Sequence, residues 1–375
     1  MTLEFIDGNE AIARAAIRAG CDFFTSYPIT PASSILHTML ELIPATGGIV
    51  LQAEDEIAAI GFCIGAAMAG RKVMTATSGP GISLYSENIG LAIMGETPMV
   101  IVDIQRQGPA TGSATKGADG DIQFARWGTS GGLPIIALIP SSIEDAYALT
   151  FTAFNYAERF RTPVFLLGNK ETCMTRETVD LDAILLPPKV DRKRALPDQK
   201  SYEPHYFDSP EEVPPIADFG GNFIARYTTS THDKAAYLTG DPAVIQEMID
   251  HYVAKIEREA DEIALFEADL QKGAQTVVIS YGITSRSASV AVSRARAEGS
   301  KISALVLKTL WPVPKAQIRR AMQGVRKVVV PEMNMGQYRL EIERLARSDV
   351  EVVGVNKMDT TLLSPEEIID RGGLL

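Results

Sequence analysis

The stretch of sequence that decides the fold spans residues 54–81 and reads EDEIAAIGFCIGAAMAGRKVMTATSGPG. After its three acids, residues 57–70 carry no charge, and about half of them are glycine or alanine. This composition predicts a helix that is buried on every side, because small side chains let neighbouring backbones approach closely. Residues 73–77 (VMTAT) have the β-branched content of a short buried strand, and residues 78–81 (SGPG) predict a tight turn.

One acid of this stretch, Glu56, lies in the first turn of the predicted helix, where the core would bury its carboxyl group. Acids are also favoured at helix N-termini by the helix dipole alone, by about 0.3–1 kcal/mol each. From the residues alone, two interpretations stay open. Glu56 is either a buried acid with a function or one of three acids that cap the helix.

The composition fits a globular protein of two domains. The chain has 375 residues, 46% of them apolar and 22% charged, which is enough for two hydrophobic cores. No apolar run approaches the ~20 residues that a membrane-spanning helix needs. The net charge is −11 and the basic residues do not cluster, so we expect no nucleic-acid partner. The first residues (MTLEFID) lack a basic region followed by an apolar one, which predicts a cytoplasmic protein without a signal peptide.

The cysteines and histidines indicate no metal site. The three cysteines are far apart and none belongs to a C-x-x-C pair, so they cannot hold an iron–sulfur cluster or a structural zinc by themselves. We expect reduced, buried thiols at Cys21, Cys63 and Cys173. Metal-ligand spacing is likewise absent among the four histidines, which are His37, His205, His232 and His251.

Two loops are candidates for a ligand site. Residues 8–20 predict a helix capped by Asn9, residues 21–26 a strand, and residues 27–34 (YPITPASS) an extended turn whose Ser and Thr side chains could cap the next helix. A second loop, rich in Gly, Thr and Ser, follows the apolar strand 99–102 and begins at Arg106. A guanidinium there suits bidentate binding of a carboxylate. The alternatives, that Thr30 is only a cap and that Arg106 forms an ordinary ion pair, stay open.

The order of predicted elements indicates an α/β protein with two doubly wound, mainly parallel sheets. Residues 1–186 form the first predicted domain. Residues 187–272 form a Pro-rich linker, in which residues 187–215 hold seven of the 21 prolines, and then one long helix over residues 242–272. Residues 273–375 form the second domain, for which we expect mainly subunit contacts. No G-x-G-x-x-G or Walker A sequence marks a nucleotide site.

Several motifs in a fixed order resemble the α subunits of 2-oxoacid:ferredoxin oxidoreductases. They most resemble the 2-oxoglutarate type in its short form, which lacks a fused γ domain. The motifs are residues 27–31 (YPITP), 54–56 (EDE), 77–81 (TSGPG), 104–112 (IQRQGPATG), 309–314 (TLWPVP), 331–337 (PEMNMGQ) and 362–367 (LLSPEE).

The resemblance implies a pyrimidine-binding thiamine diphosphate domain followed by a domain like the C-terminal domain of transketolase. It implies that Glu56 is the catalytic acid and bonds N1′ of the aminopyrimidine. The other implied cofactor-binding residues are Tyr27, Pro28, Ile29, Ser78 and Gly79. The implied substrate-binding residues are Thr30, Arg106, Thr115 and Lys116. Lys116 matches the lysine of a P-T-K motif in which Ala114 here replaces the proline.

The resemblance also implies partner subunits. The family anchors the cofactor's diphosphate and Mg²⁺ with a Gly-Asp-Gly motif and a later Asn, whereas residues 119–121 (DGD) are out of register. Thiamine diphosphate would therefore be shared with a β subunit, and Mg²⁺ and [4Fe-4S] clusters would lie on partner subunits, including γ and δ (ferredoxin-like) subunits. The expected reaction converts 2-oxoglutarate and coenzyme A to succinyl-CoA and CO₂ while ferredoxin is reduced, or runs in reverse. The alternatives are a relative acting on branched-chain, aryl or other 2-oxoacids, and a non-catalytic scaffold.

Overall fold

The structure, a computed structural model, describes residues 3–196 and 201–375, so residues 197–200 of the predicted linker lie outside it. Its strands are β1 (Glu4–Asp7), β2 (Phe23–Ser26), β3 (Ile49–Gln52), β4 (Val73–Thr77), β5 (Met99–Gln105), β6 (Ile136–Leu138), β7 (Pro163–Asn169), β8 (Arg176–Val179), β9 (Phe266–Asp269), β10 (Thr276–Tyr281), β11 (Ile302–Leu307), β12 (Thr309–Trp311), β13 (Lys327–Glu332) and β14 (Glu351–Asn356). Its α-helices are α1 (Gly8–Ala19), α2 (Ser33–Leu42), α3 (Glu56–Met68), α4 (Gly79–Leu84), α5 (Ser86–Met94), α6 (Ile122–Trp127), α7 (Ile143–Phe160), α8 (Lys170–Met174), α9 (Pro242–Glu257), α10 (Ala260–Ile263), α11 (Thr284–Ala297), α12 (Lys315–Ala321), α13 (Arg339–Leu345) and α14 (Pro365–Gly372).

The first sheet has seven strands in the order β12-β6-β7-β5-β4-β2-β3. Every neighbouring pair is parallel except β12 and β6. One apolar core covers one face through α3 and α5, and a second core covers the other through α1, α2 and α7. After β3 the chain crosses to the other side of β2 to form β4. Ligands bind outside the carboxyl ends of strands at such a reversal, so the loops after β2, β3, β4 and β5 are where the topology places a site.

The second sheet has five strands in the order β14-β13-β10-β11-β9, with only β9 antiparallel. The predicted α/β class with two mainly parallel sheets is therefore confirmed. Two strands join the units: β9, from the predicted linker, pairs in the second sheet, and β12, from the predicted second domain, pairs in the first. We propose residues 1–186, 187–272 and 273–375 as the domains, tied together by these two exchanges.

The predicted burial of α3 on every side is wrong. One face packs into the core, but Ile57 is 52% exposed and Phe62 is 49% exposed, and the backbone at Gly61 and Gly65 is open beside them. We call these four residues the α3 face. Apolar and small residues on both sides of a helix indicate two packing partners, and this chain supplies only one of them.

The long helix predicted over residues 242–272 is also wrong. Helix α9 ends at Glu257, and a single turn, α10, precedes β9. The Thr309 hydroxyl accepts a hydrogen bond from the Leu265 backbone N–H at 3.0 Å, and the residues after it pair with β11. Tertiary pairing therefore overrides the helical pattern here.

The Pro-rich segment is irregular as predicted, but it is firmly attached. Among the described residues between Ala183 and Pro242 there is no helix or paired strand longer than an isolated bridge. Two histidines, His205 from this segment and His251 from α9, bond the buried carboxylate of Glu96 at 2.8 and 2.9 Å. Lys255 donates to the same carboxylate at 2.7 Å. We call Glu96, His205, His251 and Lys255 the Glu96 cluster.

Two further observations complete the fold. The three cysteines are free and buried, which confirms that prediction. None of the described helices has both the length and the apolar character needed to cross a bilayer.

Candidate active site

Glu56 begins α3 at the carboxyl edge of the first sheet and is only 8% exposed. The helix cap is supplied by its neighbour Asp55, whose carboxylate accepts from the Ala58 backbone N–H at 2.7 Å. The Glu56 carboxyl is therefore not needed as the cap. It lies against Gly81, where a Cβ atom would stand 3.0 Å from Glu56 Oε1 and 2.1 Å from Thr77 Oγ1. Only glycine fits at residue 81 because the acid and the hydroxyl fill that space.

The loop after β2 is held in place by α1. Asn9 is fully buried and donates to the Pro31 carbonyl at 2.8 Å and to Ser34 Oγ at 2.7 Å. The predicted cap role of Asn9 is wrong, because Asp7 is extended and accepts from the Glu10 N–H at 2.9 Å instead. The predicted Ser/Thr cap of α2 is also wrong, since its first turn has no side-chain cap.

The predicted cofactor residues of this loop lie at its surface. Tyr27 is 39% exposed, and Pro28, Ile29 and Thr30 are half-buried. No hydrogen bond joins the Thr30 hydroxyl to any described residue, whereas its carbonyl accepts one from Arg106. The loop therefore presents a hydroxyl and an apolar surface at the edge of the sheet.

Arg106 follows β5 directly and is only 5% exposed. Its Nη1 donates to the Thr30 carbonyl at 2.6 Å and its Nη2 to the Thr111 carbonyl at 3.0 Å. No ion pair to Arg106 occurs among the described residues, so the ordinary ion-pair interpretation is wrong. Burial lowers the pKa of Arg106, while the nearby charges of Asp121, Asp103 and Glu56 act to raise it. Two of its five N–H donors are used by these carbonyls and the Nε–H is enclosed, which leaves one N–H on each terminal nitrogen for a ligand.

The loop after Arg106 folds back on itself. The Gln107 N–H donates to the Lys116 carbonyl at 2.8 Å, and the Ser113 N–H donates to the Gln107 carbonyl at 2.9 Å. At Gly112, with φ of 50°, a Cβ atom would stand 1.8 Å from the Gln107 carbonyl oxygen, so the turn requires glycine. Thr115 and Lys116 are exposed on this loop. Their backbones are thus held close to Arg106, and their side chains point to no described partner.

The sequence predicted as a turn after β4 instead begins α4. Ser78 is fully buried, and Gly79 follows it with φ of 21°. The hydroxyl oxygens of Thr77 and Ser78 are enclosed and have no hydrogen-bond partner among the described residues. Two orphaned hydroxyls therefore lie at this end of the sheet, and that of Thr77 stands beside Glu56.

Sequence reasoning missed a group of buried acids behind these residues. Asp103 is fully buried within β5, and neither of its carboxyl oxygens has a donor among the described residues. Asp119 is also fully buried, and burial, together with Glu332 and Asp121, raises its pKa to about 7 although Asn169 donates to it. The sequence signal for this group is Asp103 itself, because an acid inside the apolar strand MVIVDIQ indicates a buried carboxyl.

The second unit positions these acids, a role that was not predicted for it. The Asp119 N–H donates to the Met333 carbonyl at 3.0 Å, and Asn334 Nδ2 donates to the Asp119 carbonyl at 2.8 Å. Gln337 Nε2 donates to the Gly120 carbonyl at 2.7 Å. The motif at residues 331–337 therefore fixes the loop that carries Asp119 and Asp121.

Comparison with known proteins agrees with this geometry. The family described as pyruvate flavodoxin/ferredoxin oxidoreductase, thiamine diphosphate-binding, matches residues 14–251, and the pyruvate:ferredoxin oxidoreductase core domain II matches residues 274–368. The chain is 41% identical to 2-oxoglutarate synthase subunit KorA of Methanocaldococcus jannaschii, over 98% of each chain. It is 34% identical to ketoisovalerate oxidoreductase subunit VorB of Methanothermobacter thermautotrophicus, over 99% of this chain and 97% of the relative.

A solved structure is similar over the same range. It is the 2-oxoglutarate:ferredoxin oxidoreductase of Magnetococcus marinus with 2-oxoglutarate, coenzyme A and succinyl-CoA bound, with a TM-score of 0.91 at 32% identity. The match covers 98% of this chain but 64% of that longer chain. The chain therefore belongs to the 2-oxoacid:ferredoxin oxidoreductases, as an α subunit that works together with partner subunits.

Proposed function

We propose that this chain is the α subunit of a thiamine diphosphate-dependent 2-oxoglutarate:ferredoxin oxidoreductase. The assembled enzyme would convert 2-oxoglutarate and coenzyme A to succinyl-CoA and CO₂ while it reduces ferredoxin, or run in the CO₂-fixing direction. The observation that carries the proposal is the placement of Glu56 and Arg106 at one sheet edge, where both pack against the start of α4: a Cβ atom at Gly79 would stand 3.6 Å from Arg106 Cγ, and one at Gly81 would stand 3.0 Å from Glu56 Oε1. Greater identity to KorA than to VorB favours 2-oxoglutarate over a branched-chain 2-oxoacid.

The residues present fit the pyrimidine end of the cofactor. Glu56 offers a nearly enclosed carboxyl with the orphaned Thr77 hydroxyl beside it, the hydroxyl of the next residue, Ser78, is also orphaned, and the α3 face is apolar. For the diphosphate end, the sequence lacks the Gly-Asp-Gly motif with a later Asn that the resemblance would require, since residues 119–121 read DGD. The donor set thus supports a shared cofactor rather than a complete site on one subunit.

The chain's own residues have three tasks in this proposal. When bound, thiamine diphosphate supplies the carbon nucleophile and electron sink for 2-oxoacid decarboxylation. Glu56 holds a proton at N1′ of the aminopyrimidine, and Tyr27, Pro28, Ile29, Ser78 and Gly79 line the ring. Arg106 directs its free N–H groups, together with the Thr30 hydroxyl, at the 1-carboxylate of the substrate.

The remaining task is to bind the second carboxylate of 2-oxoglutarate, the one far from the reacting carbon. Burying the second carboxylate of 2-oxoglutarate is costly unless a cation meets it. We assign this role to Lys116, with Thr115 before it in the chain, because the Lys116 carbonyl accepts a hydrogen bond from Gln107, the residue after Arg106. Their exposure in the single chain leaves them free to turn toward the substrate.

A β subunit would complete the site by covering the α3 face. Leu84 of α4 is 48% exposed, and α4 contacts α3, so an apolar surface extends beside Glu56. The β subunit would supply the diphosphate and Mg²⁺ sites, and β, γ or δ subunits the [4Fe-4S] clusters that pass electrons to ferredoxin. We further propose a cytoplasmic location for the complex.

The test compares two neighbouring acids in the complex reconstituted with the β subunit. We expect Glu56→Gln to assemble normally and to slow 2-oxoglutarate-dependent ferredoxin reduction by about 10²–10⁴-fold, the usual scale for a lost proton transfer. The matched control, Asp55→Ala, removes the actual helix cap. It should cost about 1 kcal/mol of stability and leave turnover largely intact.

Three outcomes would count against the proposal. If the Glu56→Gln complex keeps half or more of the wild-type activity, Glu56 has only a structural role. Turnover by the chain without a partner would contradict the shared site. A wild-type complex that binds no thiamine diphosphate would favour the non-catalytic scaffold.

A further inference from the structure

A carboxyl pair stands behind Arg106 and has no role in the site described so far. Asp103 is fully buried in β5, and Asp121 precedes α6 with its Oδ2 atom enclosed. The Asp121 N–H donates to the side chain of Gln105 at 3.1 Å, and Gln105 lies two residues after Asp103 on the same face of β5, so the Asp121 carboxyl stands beside that of Asp103. Neither Asp103 oxygen nor Asp121 Oδ2 has a conventional donor among the described residues. Two carboxylates cannot bond each other, so this contact is satisfied only when the pair holds a proton.

The direction of titration agrees with a shared proton. Burial and the neighbouring Asp121 raise the pKa of Asp103 well above its usual range. Burial also raises the pKa of Asp121, against the opposing effects of Asp103 and Arg106. Two such groups titrate as a unit, with one proton held tightly and a second held weakly. As a residue, Asp121 is only half-buried, so the pair has a route to solvent protons.

The pair is placed to balance the charge of Arg106. A Cβ atom at Gly79 would stand 3.9 Å from Arg106 Nε and 4.0 Å from Asp121 Oδ2, so these two atoms face the same point. Arg106 Nε is enclosed and has no partner among the described residues. The other charged groups that act on this unit are Glu56 from α3 and Asp119 from the loop before α6.

We propose that Asp103 and Asp121 share one proton to neutralise Arg106 in the empty site, and take up a second proton when a substrate carboxylate binds Arg106. The inference rests on the proposed role of Arg106 in substrate binding. Without substrate, the singly protonated pair carries one negative charge beside one guanidinium. A bound carboxylate brings a second negative charge, and one proton from solvent restores the balance. Asp103 and Asp121 are thus positioning residues that act through Arg106.

This arrangement makes affinity depend on pH in a defined direction. Where the free pair holds one proton and the bound pair two, each rise of one pH unit weakens substrate binding about tenfold. Where the free pair already holds two protons, affinity is high and independent of pH. Affinity for the 2-oxoacid should therefore fall as the pH rises from about 6 to about 8.

Isosteric variants lock the pair in each charge state. Asp103→Asn leaves one carboxyl beside an amide donor, which favours its ionised form, so the unit keeps one negative charge at all pH values of the test. In the double variant, Asp103→Asn with Asp121→Asn, the pair is neutral at every pH. The single variant should bind weakly, the double variant should bind as tightly as wild type at low pH, and both should be independent of pH.

The experiment uses the cofactor-loaded complex and two readouts. Titration calorimetry with glutarate, an unreactive dicarboxylate, in buffers of different ionisation enthalpy counts the protons taken up. The KM for 2-oxoglutarate is measured from about pH 6 to about pH 8. We expect close to one proton per glutarate in wild type and none in either variant, with the change in KM rather than in kcat.

The outcomes separate this inference from the proposed function. A wild-type complex that turns over 2-oxoglutarate with no linked proton uptake and a flat KM profile overturns the role of the pair. A complex that neither binds glutarate nor uses 2-oxoglutarate refutes the proposed substrate and, with it, this inference. Should Asp103→Asn not assemble, Asp121→Asn makes the same change in charge and must give the same flat, weak binding.

Discussion

The Glu96 cluster gives the sharpest test of what holds the irregular segment to the first sheet. Glu96 is fully buried, and its carboxylate accepts hydrogen bonds from His205, His251 and Lys255. Arg161 is also fully buried and donates from Nε to the Glu96 carbonyl at 3.3 Å. Burial by itself would raise the pKa of Glu96, but Lys255, Arg161 and the two histidines lower it well below its usual range. The acid is therefore an anion that balances the guanidinium of Arg161 and meets Lys255, whose pKa is lowered by burial while Glu96 acts to raise it.

The perturbation is Glu96→Gln, which keeps the shape of the side chain and removes its charge. Lys255 and Arg161 would then be buried without a counter-ion, and removal of one partner of a buried ion pair costs about 3–5 kcal/mol. We expect a loss of that size in the free energy of unfolding, measured in urea on the isolated chain. The segment that carries His205 should also become sensitive to protease, because its main polar anchor is lost.

The matched control is Glu262→Gln. Glu262 also forms an ion pair, with Arg159, but the side chain of Glu262 is 59% exposed and that of Arg159 is 38% exposed. Exposed ion pairs contribute about 0–1 kcal/mol to stability. The reasoning fails if the two variants shift the urea midpoint equally. It also fails if Glu96→Gln leaves the segment as resistant to protease as wild type.

Two further predictions concern the substrate loops. Lys116→Met should raise the KM for 2-oxoglutarate about tenfold or more, with a smaller effect on pyruvate or 2-oxoisovalerate, because only the dicarboxylate loses a charge-assisted bond of about 1.5–3 kcal/mol. If the KM rises equally for all three substrates, Lys116 is a structural or cofactor contact. If no KM changes, a residue of the β subunit binds the second carboxylate of 2-oxoglutarate. Asn334→Leu should speed hydrogen exchange in residues 118–123 and lower kcat/KM of the complex, because the Asp119 carbonyl loses its donor. Unchanged exchange there would show that the second unit does not hold this loop.

Local features of the sequence predicted much of the fold. Strand β4 has the predicted bounds, since a β-branched run between two helices leaves few alternatives. The helix of residues 57–70 was also recognised, but its composition could not say which neighbour covers each face. The same small residues serve a core inside one chain and a contact with another. The α3 face was therefore predicted as buried, although in this chain it is open.

The Glu96 cluster shows why polar networks are harder to predict than elements. Its members lie at residues 96, 205, 251 and 255, on a turn, an irregular segment and one helix. His251 and Lys255 lie on a predicted helix, but nothing in the sequence pairs that helix with Glu96, and a single buried acid or histidine is ordinary in isolation. Only the folded chain brings them together, because 109 positions separate Glu96 from His205 along the sequence.

Asp103 and Asp121, the acids behind Arg106, make the proposed charge balance depend on both units of the protein. A lone arginine buried at the end of β5 would be costly, and a permanent ion pair would satisfy it but compete with the substrate. A carboxyl pair that exchanges a proton avoids both problems, provided that Asp121 is held against Asp103. That position depends on the loop before α6, which Asn334 and Gln337 of the second unit fix through the Asp119 and Gly120 carbonyls. In the proposed charge balance, the second unit would therefore act by holding the loop that carries Asp121.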